Sequence, residues 1–390
     1  MRTRRRFPLS LVVFCVFSSV LVCPRGRAQN AAVPAQITQA IDPNNLVVLR
    51  GNTYPLAQPR FDQGAVPDAQ PLHRMLLLLQ RSPQQEKSLR QFLDEQQSKS
   101  SANFHVWLTP EQFGAQYGPA PADIQTVSSW LVAQGFAINR VSAGRTVIEF
   151  DGTAGQVRNA FHTQIHRYVV NGQEHTANSS DPEIPAALTP VVAGIVSLHN
   201  FPAQSHLRNV GAFRRSRKAG TVEPLSTPLY DPPNYSGQYP IVPGDFAIIY
   251  NVTPLWNAGI DGTGQTIAIV GETDVNIADI QNFRALFGLS NNFTSDNVIL
   301  DGIDPGITGD ETEADLDIEW SGAVAKNATI EFVVSAATEV TGGTHLSALY
   351  IVDHNVAPVL SESYGNCEAS LGATNNQYYN SCLLYTSRCV

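Results

Sequence analysis

The densest run of chemically capable side chains in the 390 residues is Gly309-Asp310-Glu311-Thr312-Glu313-Ala314-Asp315-Leu316-Asp317-Ile318-Glu319-Trp320. Carboxylates in the first turn of a helix are stabilised by its dipole, so the segment is expected to open one. Glu313 and Asp317 stand four apart and emerge one above the other on one helical side. At that separation one carboxylate can hydrogen-bond the other, and a pair that shares a proton leaves one member as a poised base. Leu316, Trp320 and Ala323 are placed to face a core, while Glu311, Asp315 and Glu319 point elsewhere and read as solvated or substrate-proximal. Spacing alone leaves two other readings open. One is a solvated acidic helix start. The other is calcium binding, although the regular Asp/Asn alternation and glycine of a dedicated calcium loop are missing.

The elements around this helix form a regular series. Thr266–Val270 reads as an apolar strand entered through Gly262-Thr263-Gly264. Asn276–Phe287 reads as a helix with Ile280, Phe283 and Leu286 on one side. Asn327–Val334 and Val356–Leu360 are apolar strands, with a helix at His345–Val352 between them. Buried strands alternating with helices predict an α/β, doubly wound parallel sheet.

Upstream lies a different pattern, that of a two-layer α+β domain. Met75–Leu79 is an unbroken apolar run, short enough for a buried strand. Thr109-Pro110-Glu111-Gln112 and Thr153-Ala154-Gly155-Gln156 are capping boxes that start helices. Ile124, Val127, Trp130 and Leu131 share a helical face. Phe136–Val141 and Thr146–Phe150 alternate as hairpin strands do, and Gln164–Val170 follows as another.

A formal net charge of -9 opposes a nucleic-acid partner, and 43% hydrophobic residues suit an ordinary globular chain. The first 28 residues have a secretory layout. Arg2, Arg4, Arg5 and Arg6 form a basic start, Leu9–Val22 are apolar but short for a membrane span, and Gly26-Arg27-Ala28 offers small residues for cleavage. The product is expected to be secreted, extracellular or periplasmic, and free of the membrane once mature. No cysteine lies between Cys23 and Cys367, so packing rather than disulfides must hold the fold. Residues 203–240 read as linker and maturation region, with the basic cluster Arg214-Arg215-Ser216-Arg217-Lys218 either as solvated chain or as an exposed cleavage site.

Several of these segments resemble one family. Glu313 to Glu319 with Ala323-Val324-Ala325 resembles the catalytic helix of the sedolisin, kumamolisin-like, serine-carboxyl peptidases. Gly264 to Val270 is similar to that family's first core strand, and Ser361-Glu362-Ser363-Tyr364-Gly365 to its strand-end motif. His105 to Phe113, Trp130 to Phe136, Gly152 to Val157, Ala160 to Thr163 and Ile184 to Leu188 resemble its pro-kumamolisin activation domain. The resemblance implies an activation prodomain over residues 45–202. It also implies the front of a subtilisin-like peptidase domain over 241–381. Glu313 would be the general base of a Ser-Glu-Asp triad and Asp317 its orienting partner, giving an acid-acting endopeptidase whose prodomain is an intramolecular inhibitor. A monomer acting on protein or peptide substrates follows.

The family also carries an oxyanion aspartate, a nucleophilic serine and a C-terminal calcium loop. None is found here, so neither nucleophile nor metal ligand is assigned, calcium is expected only of a longer family member, and the chain as written is expected to be inactive. Residues 382–390 read as an aberrant tail. Two rivals remain: a secreted inhibitory or binding module built on the prodomain fold, and a subtilisin-type protease using Asp274 and His345 of Gly343-Thr344-His345. His105, His162, His166 and His175 either gain charge in acid and loosen the prodomain or sit on the surface without a role.

Overall fold

The computed structural model describes residues 33–196, 198–205, 207, 213–215, 222–224, 241–366 and 368–386, with backbone alone at 204, 213–215, 222–224, 369–370 and 382–386. The secretory segment 1–28, most of the linker with its basic cluster, and the side chains of Cys23, Cys367, Cys382 and Cys389 lie outside the described residues.

The N-terminal part is built on an antiparallel sheet. Its labelled elements are β1 (Pro71–Leu79), α1 (Pro83–Gln97), α2 (Pro110–Tyr117), α3 (Pro121–Ala133), β2 (Ala137–Val141), β3 (Val147–Thr153), α4 (Ala154–Phe161), β4 (Ile165–Val170), β5 (Gln173–Asn178) and β6 (Val192–Val196). The sheet order is β2-β3-β1-β6. Asp62–Ala65 joins β4 and β5 in a second, three-stranded sheet. Both expected capping boxes form: Thr109 Oγ1 accepts from the Gln112 backbone while the Thr109 N–H donates to Gln112 Oε1 at 2.9 Å, and Thr153 with Gln156 repeats the pattern.

The unbroken apolar run in β1 has a direct physical cause. Met75, Leu77 and Leu79 pack with Val127 and Trp130 of α3 and Val157 and Phe161 of α4. Leu76 and Leu78, on the opposite face, pack with Val147, Val196, Leu346, Leu349 and Tyr378. Both faces of the strand are therefore covered, one by its own helices and the other by C-terminal elements.

Those C-terminal elements are β7 (Gln204–Ser205), β8 (Thr266–Gly271), α5 (Ile277–Leu286), β9 (Val298–Leu300), α6 (Glu311–Val324), β10 (Thr329–Val334), α7 (Gly343–Asp353), β11 (Val359–Ser361), β12 (Tyr364–Gly365) and α8 (Glu368–Thr386). Strands β9-β10-β8-β11 form a parallel sheet in that order, with Ile267 opposite both Ile330 and Val359. Ile269, Ile330 and Phe332 pack against Ile280 of α5 and Ala314 and Ile318 of α6. Ala268, Val270 and Val333 pack against Ala348 and Ile351 of α7 on the other face. Helices thus cover both faces of a parallel sheet. Helix α8 breaks at Gly372, whose φ of 77° and approach to the Gly51 carbonyl exclude a side chain.

Two expected core faces are corrected. On α6 the buried side chains are Glu313, Ala314, Ile318 and Ala323, while Leu316 and Trp320 are half-buried. Trp320 turns from the sheet to meet Phe246 of the short helix Pro243–Ile249 edge-on, 5.7 Å between ring centres. On α5, Leu286 is exposed and Arg284 takes the interior, donating to the carbonyls of Ser290 at 2.5 Å, Lys326 at 3.2 Å and Gly322 at 3.4 Å.

Candidate active site

Helix α6 starts beside the C-terminal ends of the parallel strands, where loops from several strands converge. Glu313 lies in its first turn and is only 4% exposed; Asp317, one turn on, is half-buried on the same side. The direct hydrogen bond expected between these two carboxyls is not formed. Each instead accepts a serine hydroxyl from another element. The Ser363 hydroxyl, just past β11, donates to Asp317 Oδ1 at 2.7 Å. The Ser205 hydroxyl donates to Glu313 Oε2. Ser205 is carried there by β7, which pairs antiparallel with β12 so that Ser205 stands opposite Tyr364 and Gln204 opposite Gly365.

Burial pushes Asp317 up to about 6; the Ser363 hydroxyl opposes the shift and the Glu313 charge adds to it. Asp317 Oδ2 is buried without a partner, which leaves one atom for a proton. The surroundings are unusually acidic. Glu272, directly after β8, is raised by burial and then by the Asp310 carboxylate. Glu362, of the strand-end motif, is pushed up to about 8 by burial, with Tyr379 as a hydrogen-bonding partner opposing the shift. The Tyr364 hydroxyl is also raised, by burial and then by the charges of Glu272, Asp310, Glu313 and Asp317. Neither Ser205 nor Glu272 was singled out by sequence reasoning. An acidic residue ending a buried strand was the available signal for Glu272; Ser205, 108 residues from Glu313, had none.

The other acidic residues of α6 do point elsewhere, but they are not freely solvated. Burial raises Asp315 to about 7 and Glu319 to about 8, each helped by the Asp279 charge on α5. Asp279, Glu311 and Asp315 bring one carboxylate oxygen each within 4.8 Å of one another. Three carboxylates alone fall short of the roughly six to eight oxygens that calcium takes, so the trio is not assigned as a metal site. The pair Asp274 and His345 is not assembled: both ring nitrogens of His345 lack a partner, and Asp274 Oδ1 accepts from the Val275 backbone at 2.8 Å. Among the described residues no helix is long and apolar enough to cross a membrane.

Residues 61–201 match the pro-kumamolisin activation domain. Over 278 residues the chain is 30% identical to xanthomonalisin of Xanthomonas sp. (strain T-22), covering 68% of this chain and 31% of that protein. It is 27% identical over 297 residues to sedolisin of Pseudomonas sp. (strain 101), with 74% and 47% covered. Kumamolisin of Bacillus sp. (strain MN-32) is 27% identical over 355 residues, with 86% and 59% covered. The chain belongs to the sedolisin family. Its N-terminal unit is a propeptide of the pro-kumamolisin type, and the chain spans less than two thirds of the length of these three sedolisin-family relatives.

Proposed function

We propose that this is the precursor of a secreted serine-carboxyl endopeptidase with a subtilisin-like catalytic domain, in which Glu313 is the general base and Asp317 its partner. The observation that carries the reading is the position of Glu313: nearly sealed from solvent, at the tip of a parallel sheet, and already accepting a serine hydroxyl. A base must sit within hydrogen-bond reach of the hydroxyl it deprotonates, and Glu313 has that geometry toward Ser205. Ser205 lies in the linker just after the matched propeptide and Ser363 holds Asp317, so neither is assigned as the nucleophile. No nucleophile is assigned among these 390 residues, which span 31%, 47% and 59% of the lengths of the three relatives.

A glutamate with a reference pKa of about 4.3 still accepts protons at a pH where histidine is charged, which gives an acid optimum. Below pH about 6 Asp317 holds a proton, and its unpartnered Oδ2 is the atom free to carry it as a donor on the Glu313 side of the helix. Until processing, β7 lies along β12 where an extended substrate would lie, and Ser205 occupies the base. The propeptide then acts as an inhibitor in cis.

The test uses the full-length precursor, assayed on casein at pH 4 after processing. Glu313→Gln should lose more than about a hundredfold in kcat/KM with KM little changed. Activity within threefold of the parent would remove Glu313 from the mechanism. The 390-residue chain itself should leave casein intact at pH 4 after removal of the propeptide.

A further inference from the structure

Two buried histidines lie near the place where the propeptide joins the peptidase part, close enough for the charge of one to affect the other. His199 lies at the end of the matched propeptide. It is bridged to Ala177, and its backbone N–H donates to the Val340 carbonyl at 3.0 Å. Its ring lies 4.2 Å from that of Tyr54 and 5.8 Å from Phe201. His345 is in the first turn of α7, its carbonyl held by the Tyr378 hydroxyl at 2.6 Å and its ring 5.5 and 5.1 Å from those of Tyr378 and Tyr379. The two side chains are 4% and 6% exposed, and all four ring nitrogens are buried without a hydrogen-bond partner. The groups facing them are His175 of β5, stacked on Phe201 at 4.3 Å, Tyr54, and Tyr378 and Tyr379 of α8. Glu362 stands behind Tyr379, and the nearby Glu339 turns its carboxylate to His73 at 3.2 Å. Among the described residues no carboxylate pairs with either ring.

We propose that His199 and His345 form an acid-released latch: neutral, they allow the propeptide to dock on α7 and α8; protonated, they push the two parts apart. The latch rests on reading residues 61–201 as a detachable propeptide. A charge on either ring would sit in an apolar seam with no counter-ion and with a second imidazole close enough to repel it. Burial pushes His199 down to about 3, with His345 and His175 adding repulsion, and pushes His345 down to about 4. Undocked, exposed imidazoles take up protons near pH about 6.5. The docked state therefore binds fewer protons, so docking is fully stable above that pH and weakens as pH falls toward 4. The ion pairs of Glu149 with Arg74 and Arg140, which hold its carboxyl low against its burial, lie inside the N-terminal sheet; across the seam the same two arginines reach Asp301 at 2.9 Å and Asp353 at 3.3 Å. Asp353 and Glu362, whose carboxyls are raised, work in the opposite direction, so variants are needed to isolate the histidines.

The test follows amide hydrogen exchange of β6 and α7 in the full chain, corrected for intrinsic rates, from pH 7.5 to 4.5. Replacing both histidines, His199→Phe with His345→Phe, should lower the opening constant at pH 4.5 about a hundredfold or more relative to its change at pH 7.5. An equal opening constant in parent and variant at pH 4.5 overturns the latch. Should the double variant fail to fold, ring-carbon NMR of the parent decides. Imidazoles still neutral at pH 5 uphold the latch, and titration of both near 6.5 in the docked chain refutes it. Neither readout depends on catalysis, so loss of the peptidase reading and loss of the latch are separate results.

Discussion

At the scale of single residues, two groups define what the site can do. Asp317 is poised by opposing effects: burial and Glu313 favour its proton, while Ser363 favours its charge. Ser363→Ala removes the opposing effect, so the titration of Asp317 should move upward from about 6, observable by carboxyl-carbon NMR; a downward move would contradict the assignment. Arg284 shows the cost of a buried charge without a carboxylate. Its guanidinium ties the end of α6 to the loop after α5 through three carbonyls. Arg284→Met would strand those acceptors and should cost about 3 kcal/mol in urea denaturation. Asp317 was singled out in sequence as the partner of Glu313, but the serines that hold the two carboxyls and the role of Arg284 were not. Arg284 sits in a helical pattern that marks Leu286 as apolar, and Glu313 gains its serine from a strand 108 positions away. Local spacing reports which side chains share a helical face, and nothing about what the chain later brings to that face.

At the scale of elements, the sequence was far more legible. The Thr109 and Thr153 capping boxes were read with their partners, because a cap is a contact between residues three apart. Thr109→Ala should cost about 1 kcal/mol, measured as a lowered denaturation midpoint. The apolar run in β1 was read as a buried strand, yet its reason lay elsewhere. Sequence cannot say that the second covering layer comes from residues 346–378. Truncating that layer tests its weight: Leu349→Ala should cost about 2 to 5 kcal/mol and raise exchange in β1 and β6. Helix α6 was placed correctly but rotated in its core face, since Trp320 prefers Phe246 to the sheet.

For the whole molecule, acid acts with two signs. In the peptidase part, Asp315, Asp317, Glu319 and Glu362 are raised to between about 6 and about 8, so the folded state holds protons that the unfolded chain releases. Stability should therefore rise as pH falls from 8 toward 5, and the gain should level off, fully present, below the ordinary carboxyl range. A thermal midpoint at least about 4 °C higher at pH 5 than at pH 8 is expected by calorimetry. A flat profile would mean these carboxyls are more hydrated than their burial implies.

The seam between the two parts is more than a surface. Val340, from the loop before α7, is fully enclosed within the cluster formed by Leu77, Val127, Phe161 and Ile195. The N-terminal unit thus borrows one of its interior plugs from the part it packs against. Once the two separate, that unit is left with a hole where Val340 had been and a bare apolar sheet face, so it becomes prey to unfolding and digestion faster than it can dock again. Departure would work as a ratchet.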